Sequence, residues 1–106
     1  MSEREADFQR AITDLAELCG WRWIHHRPAR TSKGWRTPVE GSHAAGFPDL
    51  LLCGRSRVLY VEVKSERGRL SPAQEEWIEA LRAAGQDVRV WRPSDWPEVQ
   101  QTLGTR

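Results

Sequence analysis

Long hydrophobic runs are missing from this chain. None approaches the ~20 residues of a membrane span, and no basic stretch followed by an apolar one opens it as a secretion signal would. Cysteine is scarce, with two in 106 residues. Cys19 and Cys53 lack Cys or His neighbours at zinc-finger spacing, which argues against a structural zinc site. Both are expected as core thiols of an intracellular, cytoplasmic protein, with a disulfide between them as the lesser alternative. Internal repeats, low-complexity tracts and linkers are absent too, so residues 1–106 read as one domain with room for one core. Hydrophobic content of 39% and charged content of 29% suit a soluble globular chain. The net charge of +1 is too small to imply nucleic acid by itself.

Acidic residues are absent from one stretch. Between Trp21 and Val39 there is no Asp or Glu, while Arg22, His25, His26, Arg27, Arg30, Lys33 and Arg36 are interleaved with Trp21, Trp23 and Trp35. A basic, aromatic-bearing segment suits phosphate contacts and base stacking, which makes Arg27, Arg30, Lys33 and Arg36 candidate DNA contacts. A solvated loop with its share of arginines is the alternative.

Apolar periodicity sets out the elements. Phe8, Ala11, Ile12, Leu15, Leu18 and Cys19 recur at helical spacing and predict a helix over residues 3–19, capped by Ser2 and ended by Gly20. Residues 21–27 predict a strand stopped by Pro28, and residues 28–45 a long irregular loop. Ser71-Pro72-Ala73-Gln74 has the spacing of a capping box with proline in the first turn, so a helix starts there and ends at Gly85. Trp77, Ile78 and Leu81 form its apolar face. A strand over Asp87–Trp91 and a short last helix holding Trp96, Val99 and Leu103 complete the chain. Helix, three strands, helix, strand and helix make a mixed α/β domain, with a sheet flanked by helices.

Charge inside two of the apolar runs is the informative feature. Pro48-Asp49 leads into Leu50-Leu51-Leu52-Cys53, and Glu62-Val63-Lys64 ends the run that begins at Val58. A tight turn centred between Arg55 and Ser56 pairs the runs as a hairpin, in which Cys53 faces Val58, Leu51 faces Tyr60 and Asp49 faces Glu62. Side chains alternate along a strand, so these residues share one face, and Lys64 joins them. Directly opposed carboxylates have Cβ atoms about 4.5–5.5 Å apart and repel unless a cation, a proton or solvent lies between them. Two carboxylates with a lysine alongside suggest a metal site that hydrolyses phosphodiesters. Exposed turn and edge-strand residues would be the structural alternative, but this face turns from apolar to ionic at one end, as a cleft does.

Glu5 lies on the first helix's apolar stripe near its start and is a further candidate ligand. It also has capping-box spacing from Ser2 and suits a helix N-terminus electrostatically. Gln74 can close its own capping box or point into the cleft. Arg67 and Arg69 are candidate phosphate anchors. His25 and His26 alternate along a strand, so only one of them is expected to face any site.

These residues bring out a resemblance. Gly46-Phe47-Pro48-Asp49, Glu62-Val63-Lys64 and Glu66-Arg67-Gly68-Arg69-Leu70-Ser71-Pro72-Ala73-Gln74 resemble the VRR-NUC family of the PD-(D/E)XK nuclease superfamily. Trp77 and Val88-Arg89-Val90-Trp91-Arg92-Pro93 fit as well. The resemblance implies a restriction-endonuclease-like αβββαβ core with a mixed central sheet, to which a short C-terminal helix is added. It implies Mg²⁺ or Mn²⁺ bound by Asp49, Glu62, the Val63 carbonyl and an acidic residue of the first helix, Glu5 or its rival Glu3. Lys64 would orient or activate the attacking water, and Gln74 matches the family's glutamine. Members are structure-selective DNA nucleases acting on branched or flapped DNA, found as stand-alone phage and bacterial domains and often dimeric. Segment 28–45 is longer than the usual connection. A non-catalytic nucleic-acid-binding module, or a subunit that needs a partner protein, are the competing expectations.

Overall fold

The computed structural model describes residues 3–26, 29–31, 34–36 and 40–104. The elements are α1 (Glu3–Leu18), β1 (Arg22–His25), β2 (Ala29–Thr31), β3 (Gly34–Arg36), β4 (Leu50–Gly54), β5 (Arg57–Val63), α2 (Pro72–Ala83), β6 (Asp87–Trp91), a 3-10 turn (Pro93–Asp95) and α3 (Trp96–Gly104). One sheet has the order β1-β4-β5-β6, antiparallel except for the parallel β5–β6 pair. Helix α2 is the crossover that a parallel pair requires. This is the αβββαβ order of a restriction-endonuclease-like core, with α3 appended.

The hairpin register is the expected one from Leu50 to Gly54, and the expected Asp49–Glu62 pairing lies beyond the ladder. Cys53 pairs with Val58, Leu51 with Tyr60, and the ladder ends at Leu50 and Val61. Arg55 and Ser56 make the turn with φ of 52° and 64°, the left-handed pair that matches strand twist in a two-residue hairpin. They achieve it without the usual Asn-Gly.

Alternation on β5 then separates two faces. Leu59, Val61 and Val63 are fully buried against Phe8, Ile12 and Ala16 of α1 and Val99 and Leu103 of α3. At about 1.5–3 kcal/mol for each fully buried aliphatic side chain, this face stabilises the fold. Tyr60 and Glu62 point the other way. Val88, paired with Tyr60, is buried on that side with Ile78 of α2. Strand β5 therefore carries core residues on one face and ionic chemistry on the other.

Several expectations need correction. Segment 28–45 is not wholly irregular, because β2 and β3 pair antiparallel within it, Ala29 with Arg36 and Thr31 with Gly34. Three-residue strands are too short to show a period in the sequence. Leu18 is 84% exposed, while Ala16 is fully buried. The packed stripe runs by fours through Phe8, Ile12 and Ala16, and Leu18 lies off it. Trp21 is a core residue rather than a stacking surface, for it is buried and its Nε1 donates to the Leu103 carbonyl at 2.9 Å. Both cysteines are free, and Cys53 is exposed on the sheet instead of lying in the core. Ser2, the expected cap of α1, lies outside the described residues.

Candidate active site

Asp49 is held from three directions. Gly46 has φ of +85°, and a Cβ added there would stand 2.5 Å from the Ala73 carbonyl carbon. Only glycine lets this segment press so closely on the start of α2. Pro48 is fully buried and biases Phe47 towards extended backbone. The Asp49 carbonyl accepts from the His26 amide at 3.0 Å, and its Oδ2 accepts from the Val63 amide at 2.8 Å. Just past the end of the β4–β5 ladder, the side chain thus continues a bonding pattern that the main chain leaves off.

Glu62 is 1% exposed. Its Oε1 accepts from Gln74 Nε2 at 2.8 Å and has Lys64 Nζ at 4.0 Å. Gln74 fulfils both of its expected roles at once. Its Oε1 accepts from the Ser71 amide at 2.9 Å to close the capping box, while its Nε2 reaches Glu62. The cap that starts α2 therefore also aims the amide at the carboxylate. Glu62 Oε2 is buried with no hydrogen-bond partner among the described residues.

Burial dominates the electrostatics. It raises the Asp49 pKa above the ordinary 3.8, and the charge of Glu5 adds to the rise, while the Val63 amide, Glu62 and Lys64 oppose it. Glu62 is pushed up to about 8, first by burial and then by the charge of Asp49, with Lys64 opposing. Near neutral pH the coupled pair therefore holds a proton. A cation placed between them would displace that proton, since a nearby positive charge favours the ionised carboxylate.

A cavity of about 650 Å³ is lined by Glu5, Asp49, Glu62, Lys64 and Gln74. Residues from α1, the hairpin and α2 thus meet at one place. Of Glu3, the rival to Glu5, only the backbone is described. Both His25 and His26 line the cavity, against the expectation from alternation, because β1 ends at His25 and strand geometry stops there. Phe47, His43 and Trp77 also line it. Phe47 carried a motif signal and Trp77 a helical-face signal, but nothing local pointed to His43. Arg67 and Arg69 are exposed and do not line the cavity. Their loop is fixed by Arg92, whose Nη1 donates to the carbonyls of Ser65 and Gly68 at 2.8 and 2.6 Å. Arg27 and Lys33 lie outside the described residues, as do the side chains of Arg30 and Arg36.

The residues suit a hard divalent cation. Oxygen donors are the right type, two carboxylates are adjacent, and the buried Glu62 oxygen lacks a partner. Among the described residues no three His, Cys, Asp or Glu side chains form a ready-made metal cluster. An ion here would take two carboxylates and complete its shell with main-chain carbonyl, water and phosphate oxygens.

Residues 29–95 match the family model for the VRR-NUC domain. No curated protein and no solved structure is significantly similar to the chain. The matched segment is more than half of the chain and contains Asp49, Glu62, Lys64 and Gln74, though not Glu5. The chain belongs to the VRR-NUC family and carries a nuclease domain.

Proposed function

From this membership and the geometry of the pair, we propose that the protein is a divalent-metal-dependent, structure-selective endonuclease hydrolysing phosphodiester bonds in branched, flapped or junction DNA. One observation carries the reading. Glu62 is buried beside the half-buried Asp49, with Gln74 donating to Glu62, Lys64 Nζ 4.0 Å from it and one Glu62 oxygen unpartnered among the described residues.

Asp49, Glu62 and the Val63 carbonyl would hold Mg²⁺ or Mn²⁺, with Glu5 adding negative charge from α1. When bound, the cation polarises the scissile phosphate and lowers the pKa of a water. Lys64 orients that water through Nζ and can pass a proton at the same atom. Gln74 keeps Glu62 in place, so the carboxylate does not turn away as the pair ionises. Solvent supplies the proton to the leaving oxygen. Arg67 and Arg69, with Arg27, Arg30, Lys33 and Arg36, would contact backbone phosphates, which makes affinity fall with salt. A homodimer is part of this proposal, since one small domain covers little DNA, as is action in the cytoplasm.

The test is cleavage of end-labelled duplex, flap and four-way-junction DNA with Mg²⁺ or Mn²⁺. Cutting of the branched substrates in preference to the duplex is expected. Folded protein that cuts none of them with either ion would overturn the proposal.

A further inference from the structure

We infer that the cavity beside the carboxylate pair is a binding site for one unpaired nucleobase next to the scissile phosphate. This rests on the nuclease reading and adds to it how paired and unpaired DNA are told apart.

Size is the first observation. A volume of about 650 Å³ falls within the roughly 300–1,000 Å³ of pockets that take organic ligands and exceeds what one phosphodiester link needs. Charge is the second. Glu5, Glu40, Asp49 and Glu62 line it, against Lys64 as the only Lys or Arg among the described lining residues. With Asp49 and Glu62 taken up by the cation, Glu5 and Glu40 stand against Lys64, an acidic balance that offers a further phosphate little, so the rest of the volume favours a neutral group.

The rings supply the third. Phe47 lies 5.0 Å from Trp77 at 84° and 5.4 Å from His26 at 83°. Rings held at right angles make a corner, in which a flat base stacks on one face and meets the edge of the other. The corner is set in advance, because Trp77 Nε1 donates to the His43 carbonyl at 2.8 Å and Gly46 seats the segment against α2. A base inside an intact duplex must be unpaired and unstacked to enter, at a cost of a few kcal/mol. A base in a single-stranded flap is already free of that cost.

The experiment uses the full chain carrying Asp49→Ala, expected to bind without cutting, and flap DNA with 2-aminopurine at the unpaired position beside the mapped cut. Binding is followed by anisotropy and stacking by 2-aminopurine emission. Quenching on binding is expected, and adding Trp77→Leu should abolish it and weaken affinity by about 5- to 150-fold, the range for one stacked base. Trp77→Phe, which keeps a ring, should retain most of both. An abasic residue at the same position tests the site without any change in the protein and should weaken binding by a similar factor. Wild-type cleavage of the intact flap is scored in parallel. Cutting that proceeds while emission and abasic affinity stay unchanged overturns the base site alone. Absence of both cutting and binding overturns the nuclease reading with it.

Discussion

Glu62→Gln probes the coupled carboxylate pair most sharply. Burial and the charge of Asp49 push Glu62 from the ordinary 4.5 up to about 8. A carboxyl whose pKa is raised by folding favours the folded state while protonated. Its contribution is fully present below pH 4.5 and is lost as the pH rises through about 8. Glutamine cannot ionise, yet keeps an oxygen to accept from Gln74. The variant should therefore lie within about 1 kcal/mol of the metal-free wild type at pH 5 and exceed it by about 4 kcal/mol at pH 8. Urea titrations followed by tryptophan fluorescence, in chelator at both pH values, measure this. Adding Mg²⁺ at pH 8 should raise the stability of the wild type, by about 2.7 kcal/mol at a hundred times the Kd, and leave the variant nearly unchanged. A stability difference that stays flat between pH 5 and pH 8 would refute the charge assignment.

Other substitutions separate structure from chemistry. Ser71→Ala removes the α2 cap but not the amide on Glu62, so it should cost about 0.5–2 kcal/mol in a thermal melt and leave cleavage largely intact. Gln74→Ala removes both contacts and should lower the cleavage rate as well as stability. Gly46→Ala places a Cβ against the Ala73 backbone at positive φ and should cost about 1–3 kcal/mol or more, with cleavage falling alongside. Lys64→Met should reduce the single-turnover rate by about 10²–10⁴-fold, while DNA binding in filter assays is retained.

The hairpin and the carboxylate pair were legible because strand alternation is rigid. A two-residue turn fixes every partner, so identifying Arg55-Ser56 as the turn placed Asp49 and Glu62 on one face. The α2 start was legible because a capping box is a purely local signal. Packing choices were not. The α1 sequence offers stripes through Leu18 or through Ala16, and only the sheet beneath selects between them. His25 and His26 reach one cavity because β1 ends between them, and a strand end has no sharp sequence mark. The contact of His43 with Trp77 spans 34 residues, a distance over which local pattern carries nothing.

If Asp49 and Glu62 form the proposed metal-dependent cleavage site, cutting needs both the ion and the Asp49 carboxylate. Wild type and Asp49→Ala, each shown folded by circular dichroism, can be compared on one flap substrate for cutting with Mg²⁺ or Mn²⁺ and for binding in Ca²⁺. Wild type should cut only with metal, and Asp49→Ala should bind as well or better without cutting. Equal cutting by both proteins, or cutting by wild type in excess chelator, would contradict it.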